Sequence, residues 1–124
     1  MSAANEKPVA IVWVQGERVD AGEIPLDRDR QVNKQTLLAS LQEAFDFPDY
    51  FGGNWDAAWD LLLDRIDAGK GDEVWRFSID SASVVNAADL ADWLQLMTDA
   101  WDYARRRGCP LQIEITGDPA QVFK

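Results

Sequence analysis

Histidine is absent from this chain, and with it go the commonest general base at neutral pH and the commonest metal-ligating side chain. Cysteine occurs once, at Cys109, so no internal disulfide can form, which fits a reducing compartment. Cationic side chains are scarce: 12 Lys and Arg stand against 22 Asp and Glu, for a net charge of −10. Phosphate backbones need a surplus of Lys and Arg, so direct nucleic-acid binding is disfavoured and a basic protein partner is favoured. No apolar run approaches the roughly 18 residues that a membrane helix needs, and the opening residues 1–8 lack an apolar signal core. These absences predict a cytoplasmic chain that binds neither nucleic acid nor membrane.

What is present is an ordinary globular composition. With 124 residues, 47% of them hydrophobic and 27% charged, one domain over residues 1–124 can bury a core without metals or disulfides. The six tryptophans exceed what a core of this size uses, so some of them are expected at an interface.

The most informative stretch is residues 48–64. Pro48 fixes φ, Gly52-Gly53 permit backbone angles closed to other residues, and Asn54 stands where a helix N-cap belongs. Beyond Asn54 the spacing predicts a helix to about residues 66–68. Trp55, Trp59, Leu62 and Ile66 make one apolar stripe, and Asp56, Asp60 and Asp64 make a second beside it. Like charges at i, i+4 cost an isolated helix roughly 0.2–0.5 kcal/mol per pair. Only Asp56, in the first turn, is offset by the helix dipole. Charge alone is satisfied by a solvated face. The aromatic neighbours Tyr50, Phe51, Trp55 and Trp59 point instead to a surface shaped for a cationic partner.

The run Tyr50-Phe51-Gly52-Gly53-Asn54-Trp55-Asp56-Ala57-Ala58-Trp59-Asp60 resembles the signature segment of the barstar family of intracellular ribonuclease inhibitors, with Pro48 at the family's proline. Arg107-Gly108-Cys109 before an alternating strand is similar to the family's Gly-Cys junction, and Gln15-Gly16-Glu17 is a weaker match. The resemblance implies that Tyr50, Asn54, Asp56, Trp59 and Asp60 are interface positions, with Asp60 the carboxylate placed deepest in a nuclease site. Phe51, Gly52, Trp55, Asp64 and Tyr103 complete the expected partner-binding surface. By periodicity alone Trp59 belongs to the core; the resemblance puts it at the interface rim. The chain departs from the family near the end of its last helix, where Tyr103 and Arg107 stand at positions the family fills with acidic residues. Either Arg107 meets an acidic group on a different partner, or that helix end lies outside the interface.

The rest of the chain reads as a small α/β domain. Residues 9–14 are an unbroken apolar run, expected as a buried strand of the parallel type, and residues 17–32 as a solvated loop or small hairpin arm. Asn33 caps a helix that carries Leu37, Leu38, Leu41, Ala44 and Phe45 and is closed by Phe47-Pro48. Residues 74–79 alternate as a strand. Asn86 and Asp89 resemble a capping box that opens a long helix burying Leu90, Trp93, Leu94, Met97, Trp101 and Ala104. Arg105, Arg106 and Arg107 complement that helix's negative end, Gly108 is a good C′ residue, and a strand over 111–116 follows. The order β-α-α-β-α-β predicts a parallel sheet with helices packed on it. The resemblance implies three parallel strands, and a monomer is expected.

Three functions fit these features. The first is a stoichiometric inhibitor or immunity protein for a basic nuclease, which uses no cofactor or metal and is not an enzyme. The second is an enzyme with paired carboxylates, although Asp56 and Asp60 share one face and do not oppose each other across a cleft. The third is an acidic module that mimics DNA or binds another basic protein or toxin.

Overall fold

The computed structural model describes residues 10–15, 23–47, 54–69, 73–80 and 82–122. In chain order the elements are β1 (Ile11–Val14), β2 (Ile24–Pro25), β3 (Gln31–Val32), α1 (Lys34–Phe45), α2 (Trp55–Ala68), β4 (Glu73–Ser78), β5 (Val84–Val85), α3 (Ala87–Arg106), β6 (Leu111–Thr116) and α4 (Pro119–Val122). The main sheet has four parallel strands in the order β1-β6-β4-β2, and β3 and β5 form a separate parallel pair. The α/β architecture is the expected one, with one strand more in the sheet.

The extra strand comes from the segment read as a solvated loop or arm. In its described part, Ile24 pairs with Phe77, Leu26 is fully buried, and Arg28 and Gln31 exchange backbone hydrogen bonds across a two-residue turn. Asp29 and Arg30, the central residues of that turn, both have positive φ, as a primed hairpin turn requires. Two-residue strands flanked by charge carry no periodicity, which is why the sequence pattern does not reveal them.

Side-chain alternation places Trp75 and Phe77 of β4 in register with Ile113 and Ile115 of β6, all buried in one hydrophobic cluster with Leu37, Leu41, Leu62, Leu90 and Met97 of the helices. The Phe77 and Trp93 rings meet edge to face with centroids 5.0 Å apart. Strand β1 departs from expectation. It lies at the sheet edge, and Val12 and Val14 are 41% and 39% exposed. An apolar run occupies both faces of β1, but only its Ile11 and Trp13 side packs on the cluster.

The caps explain where the helices begin and end. Asn33 and Thr36 form a reciprocal box at the start of α1. That helix stops at Asp46, which takes the left-handed conformation (φ 53°), so termination precedes the Phe47-Pro48 step expected to cause it. Asn86 Oδ1 accepts from the Asp89 N–H at 3.0 Å, but the Asp89 carboxylate does not return to Asn86. It accepts from the Lys34 N–H at 2.9 Å. Asp89 therefore ties the N-termini of α1 and α3 together instead of closing a box within one helix, and its charge favours both dipoles. At the other end of α3, Gly108 has φ 73°, Cys109 N–H reaches back to the Ala104 carbonyl at 2.9 Å and Gly108 N–H to the Arg105 carbonyl at 3.2 Å, a Schellman termination.

Candidate protein-binding face

Helix α2 starts at Asn54, whose Oδ1 accepts from the Ala57 N–H at 2.8 Å. This replaces one of the first-turn donors' missing partners and fixes the helix phase. From that phase the side chains sort themselves. Ala58, Leu62 and Ile66 are buried, while Asp56, Asp60 and Asp64 are exposed. Trp55 and Trp59 are half-buried, each with part of its ring packed on the cluster and part in solvent. Trp59 thus stands short of the full burial that its periodicity alone predicts.

Among the described residues, no cation or hydrogen-bond donor pairs with Asp56, Asp60 or Asp64. The only basic residue in α2, Arg65, is turned to the opposite flank, about 180° from Asp56 at roughly 100° per residue. There it pairs with Glu73 at 2.8 Å and lies over the Phe45 ring. Nothing among the described residues therefore offsets the mutual repulsion of the three carboxylates, which face water.

The row has a fourth member. Asp67 lies within about 20–60° of the other three around the helix, and Asp56 to Asp67 spans about 17 Å at 1.5 Å per residue. Unlike the others it is tied down. Tyr103 of α3 donates its hydroxyl to Asp67 Oδ1 at 2.8 Å, and Arg107 Nη2 lies 3.2 Å from the same oxygen. The Arg107 guanidinium also sits over the Tyr103 ring, 5.6 Å from its centroid, and that ring meets Trp59 in a T-shaped contact with centroids 6.4 Å apart. The hydrogen bond to Asp67 raises the Tyr103 pKa above the ordinary tyrosine range; desolvation and the charges of Asp67 and Asp64 add to it, and Arg107 opposes it.

Of the residues singled out by sequence, the structure brings Asp56, Asp60, Asp64, Trp59 and Tyr103 onto one side of α2 and its seam with α3, with Asn54 at the helix start as the cap, while Trp55 lies about 180° around the helix from Asp64. Tyr50, Phe51 and Gly52 lie outside the described residues. Asp67 escaped the sequence reading, although its i+3 spacing from Asp64 was a usable signal. Its partners lie 36 and 40 residues away in α3, and no local pattern announces them. Among the described residues no group of three or more acidic or cysteine side chains could hold a metal ion. The exposed carboxylates lie on a convex helix face, an arrangement suited to contact and not to enclosing a substrate.

A profile of the family described as "Barstar (barnase inhibitor)" matches residues 22–116, more than half of the chain. Among curated proteins, "Putative ribonuclease inhibitor YrdF" of Bacillus subtilis (strain 168) is 46% identical over 35 residues, which is 28% of this chain. The aligned stretch spans 38% of that relative's length. No solved structure matches the chain.

Proposed function

This chain belongs to the barstar family, and on that premise we propose that it is a stoichiometric protein inhibitor of a basic nuclease, in the first instance a ribonuclease. The observation that carries this reading is the row of three exposed carboxylates on α2, unpaired among the described residues and bordered by the half-buried Trp55 and Trp59. A nuclease holds phosphate with cationic groups, and a rigid row of carboxylates can take the phosphate positions while aromatic side chains fill the recess beside them. In this reading Asp60, at the middle of the row, enters deepest. Asp56 and Asp64 flank it, Asn54 fixes the helix start, and Tyr50, Phe51 and Gly52 form the aromatic loop that precedes it. The name given to the Bacillus subtilis relative supports a ribonuclease as the target.

An inhibitor of this kind protects the cell that makes the nuclease, so it acts in the cytoplasm before the enzyme leaves. It works by occupancy and needs no cofactor. The test is a titration of the purified chain into a fixed amount of basic ribonuclease captured on it from the source cells, with RNA hydrolysis as the readout. Activity should fall linearly and reach zero at one chain per enzyme. Captured proteins without nuclease activity, or hydrolysis that persists at saturation, would reject the proposal.

A further inference from the structure

The acidic row does not end in water. At its C-terminal end stands a guanidinium, and the contacts there are unequal. Asp67 has two donors on one oxygen, Tyr103 at 2.8 Å and Arg107 at 3.2 Å. If Arg107 swings away, the carboxylate keeps the tyrosine hydroxyl. The Arg107 and Asp67 side chains are 55% and 42% exposed, and exposed ion pairs contribute little, so exchanging this one for another partner costs little. Tyr103, by contrast, is anchored by its edge-on contact with Trp59. The fixed part of the cluster is thus Trp59–Tyr103–Asp67, and the exchangeable part is Arg107.

We propose, building on the inhibitor reading above, that Arg107 is a sign-reversing stop at the end of the row, and that it sets which partner fits. Through it the fourth carboxylate is masked and a positive charge stands at the level of Asp67, about 17 Å along α2 from Asp56 at 1.5 Å per helical residue. The complementary protein has a cationic patch over Asp56, Asp60 and Asp64 that gives way to an acidic side chain opposite Arg107. A partner whose cationic patch runs on past Asp64 is repelled at that point, and like charges brought together at an interface select against it.

Barnase, the enzyme in the family's description, serves as the probe, with binding measured for the unmodified chain and for Arg107→Ala, Arg107→Glu, Asp67→Asn and Asp60→Asn. Each variant's melting temperature is checked so that only folded protein is compared. Rim charges act mainly on the association rate. Arg107→Ala should tighten binding about 3–10-fold and Arg107→Glu by more than about 10-fold, while Asp67→Asn, which frees the guanidinium and removes a carboxylate, should weaken it about 3-fold. If Asp60→Asn loses binding but both Arg107 variants match or fall below the unmodified chain, the stop is refuted and the inhibitor reading stands. If no variant binds barnase, Arg107→Glu included, then reversing the charge at that position does not admit a longer cationic patch and the stop is refuted, while the titration against the captured nuclease decides the inhibitor reading separately.

Discussion

Asp60 and Asp67 occupy one face of one helix, seven residues apart, and are chemically the same group. Their surroundings differ completely. Asp60 is exposed, flanked at i−4 and i+4 by two further aspartates, and has no paired cation among the described residues. Asp67 receives a tyrosine hydroxyl and a guanidinium from α3. The difference lies in what the neighbouring helix brings to each end. The last turn of α3 reaches Asp67, whereas Asp56, Asp60 and Asp64 meet no basic side chain among the described residues. One end of α2 is therefore stitched into the fold and the other is left with uncompensated charge. Beyond the helix-dipole interaction of Asp56, fold stability gains nothing from the free end, since each like-charge pair there costs roughly 0.2–0.5 kcal/mol. The tied end contributes to the fold and offers less to a partner.

The sharpest way to break this comparison is to truncate both aspartates. Asp60→Ala should lose about 3–5 kcal/mol of binding to the target nuclease, the usual cost of leaving one side of a buried charge pair unpartnered. The free protein should meanwhile be as stable as before or more so, because two repulsive neighbours are relieved. Asp67→Ala should do the opposite to the fold, losing about 0.5–1 kcal/mol, as an exposed pair does. Calorimetry of binding and of unfolding reads both. An Asp60→Ala protein that binds normally would remove Asp60 from the interface, and equal destabilisation by both changes would erase the distinction between the two ends.

A second measurement asks whether the free end acts at a distance. A chain at −10 with three carboxylates in a row on α2 that meet no cation among the described residues should capture a basic protein faster than about 10⁷ M⁻¹s⁻¹ at low salt, slowing as the Debye length shrinks. Stopped-flow rates should fall by about tenfold between low and high ionic strength, and Asp56→Asn or Asp64→Asn should flatten that dependence. Rates indifferent to salt would take the row out of the encounter.

The smallest effect sharpens the tied end. Because the bond to Asp67 raises the Tyr103 pKa, the folded chain holds the phenolic proton more tightly than the unfolded chain. As pH climbs from about 10, the ordinary tyrosine value, through the raised one, the folded state binds more protons than the unfolded state, so stability falls in that window and is intact below it. Tyr103→Phe keeps the ring against Trp59 and removes the proton. Alkaline unfolding followed by tryptophan fluorescence should show the window in the unmodified chain and lose that component in the variant. An unchanged alkaline profile would mean that the bond to Asp67 does not persist in solution.

Local rules carried the reading of this chain far. The start of α2 at Asn54, the exposure of Asp56, Asp60 and Asp64, the burial of Leu62 and Ile66 and the alternation of β6 all follow from interactions within a few residues, where helical and strand periods and capping chemistry operate. The Asp102 pairs with Arg105 and Arg106 are local in the same sense, at i+3 and i+4. Failures came where a residue answered to something distant. Asp89 left its own helix to cap Lys34, 55 residues earlier, although the sequence motif for a local box was present. Val12 and Val14 were expected inside because an apolar run reads alike on both faces of a strand; its position at the sheet edge exposed one side.

The sequence by itself determined the α/β class, the phase of each long helix and the acidic and aromatic character of one face of α2, because those depend on spacing and on side-chain chemistry alone. The tertiary structure decided which of four equivalent carboxylates stay free. That choice turns on α3 laying Tyr103 and Arg107 across the end of α2, a contact between groups 36 and 40 residues apart. No local period encodes such a pairing; it is fixed by the packing of the two helices against each other and the sheet, which sets where each side chain can reach.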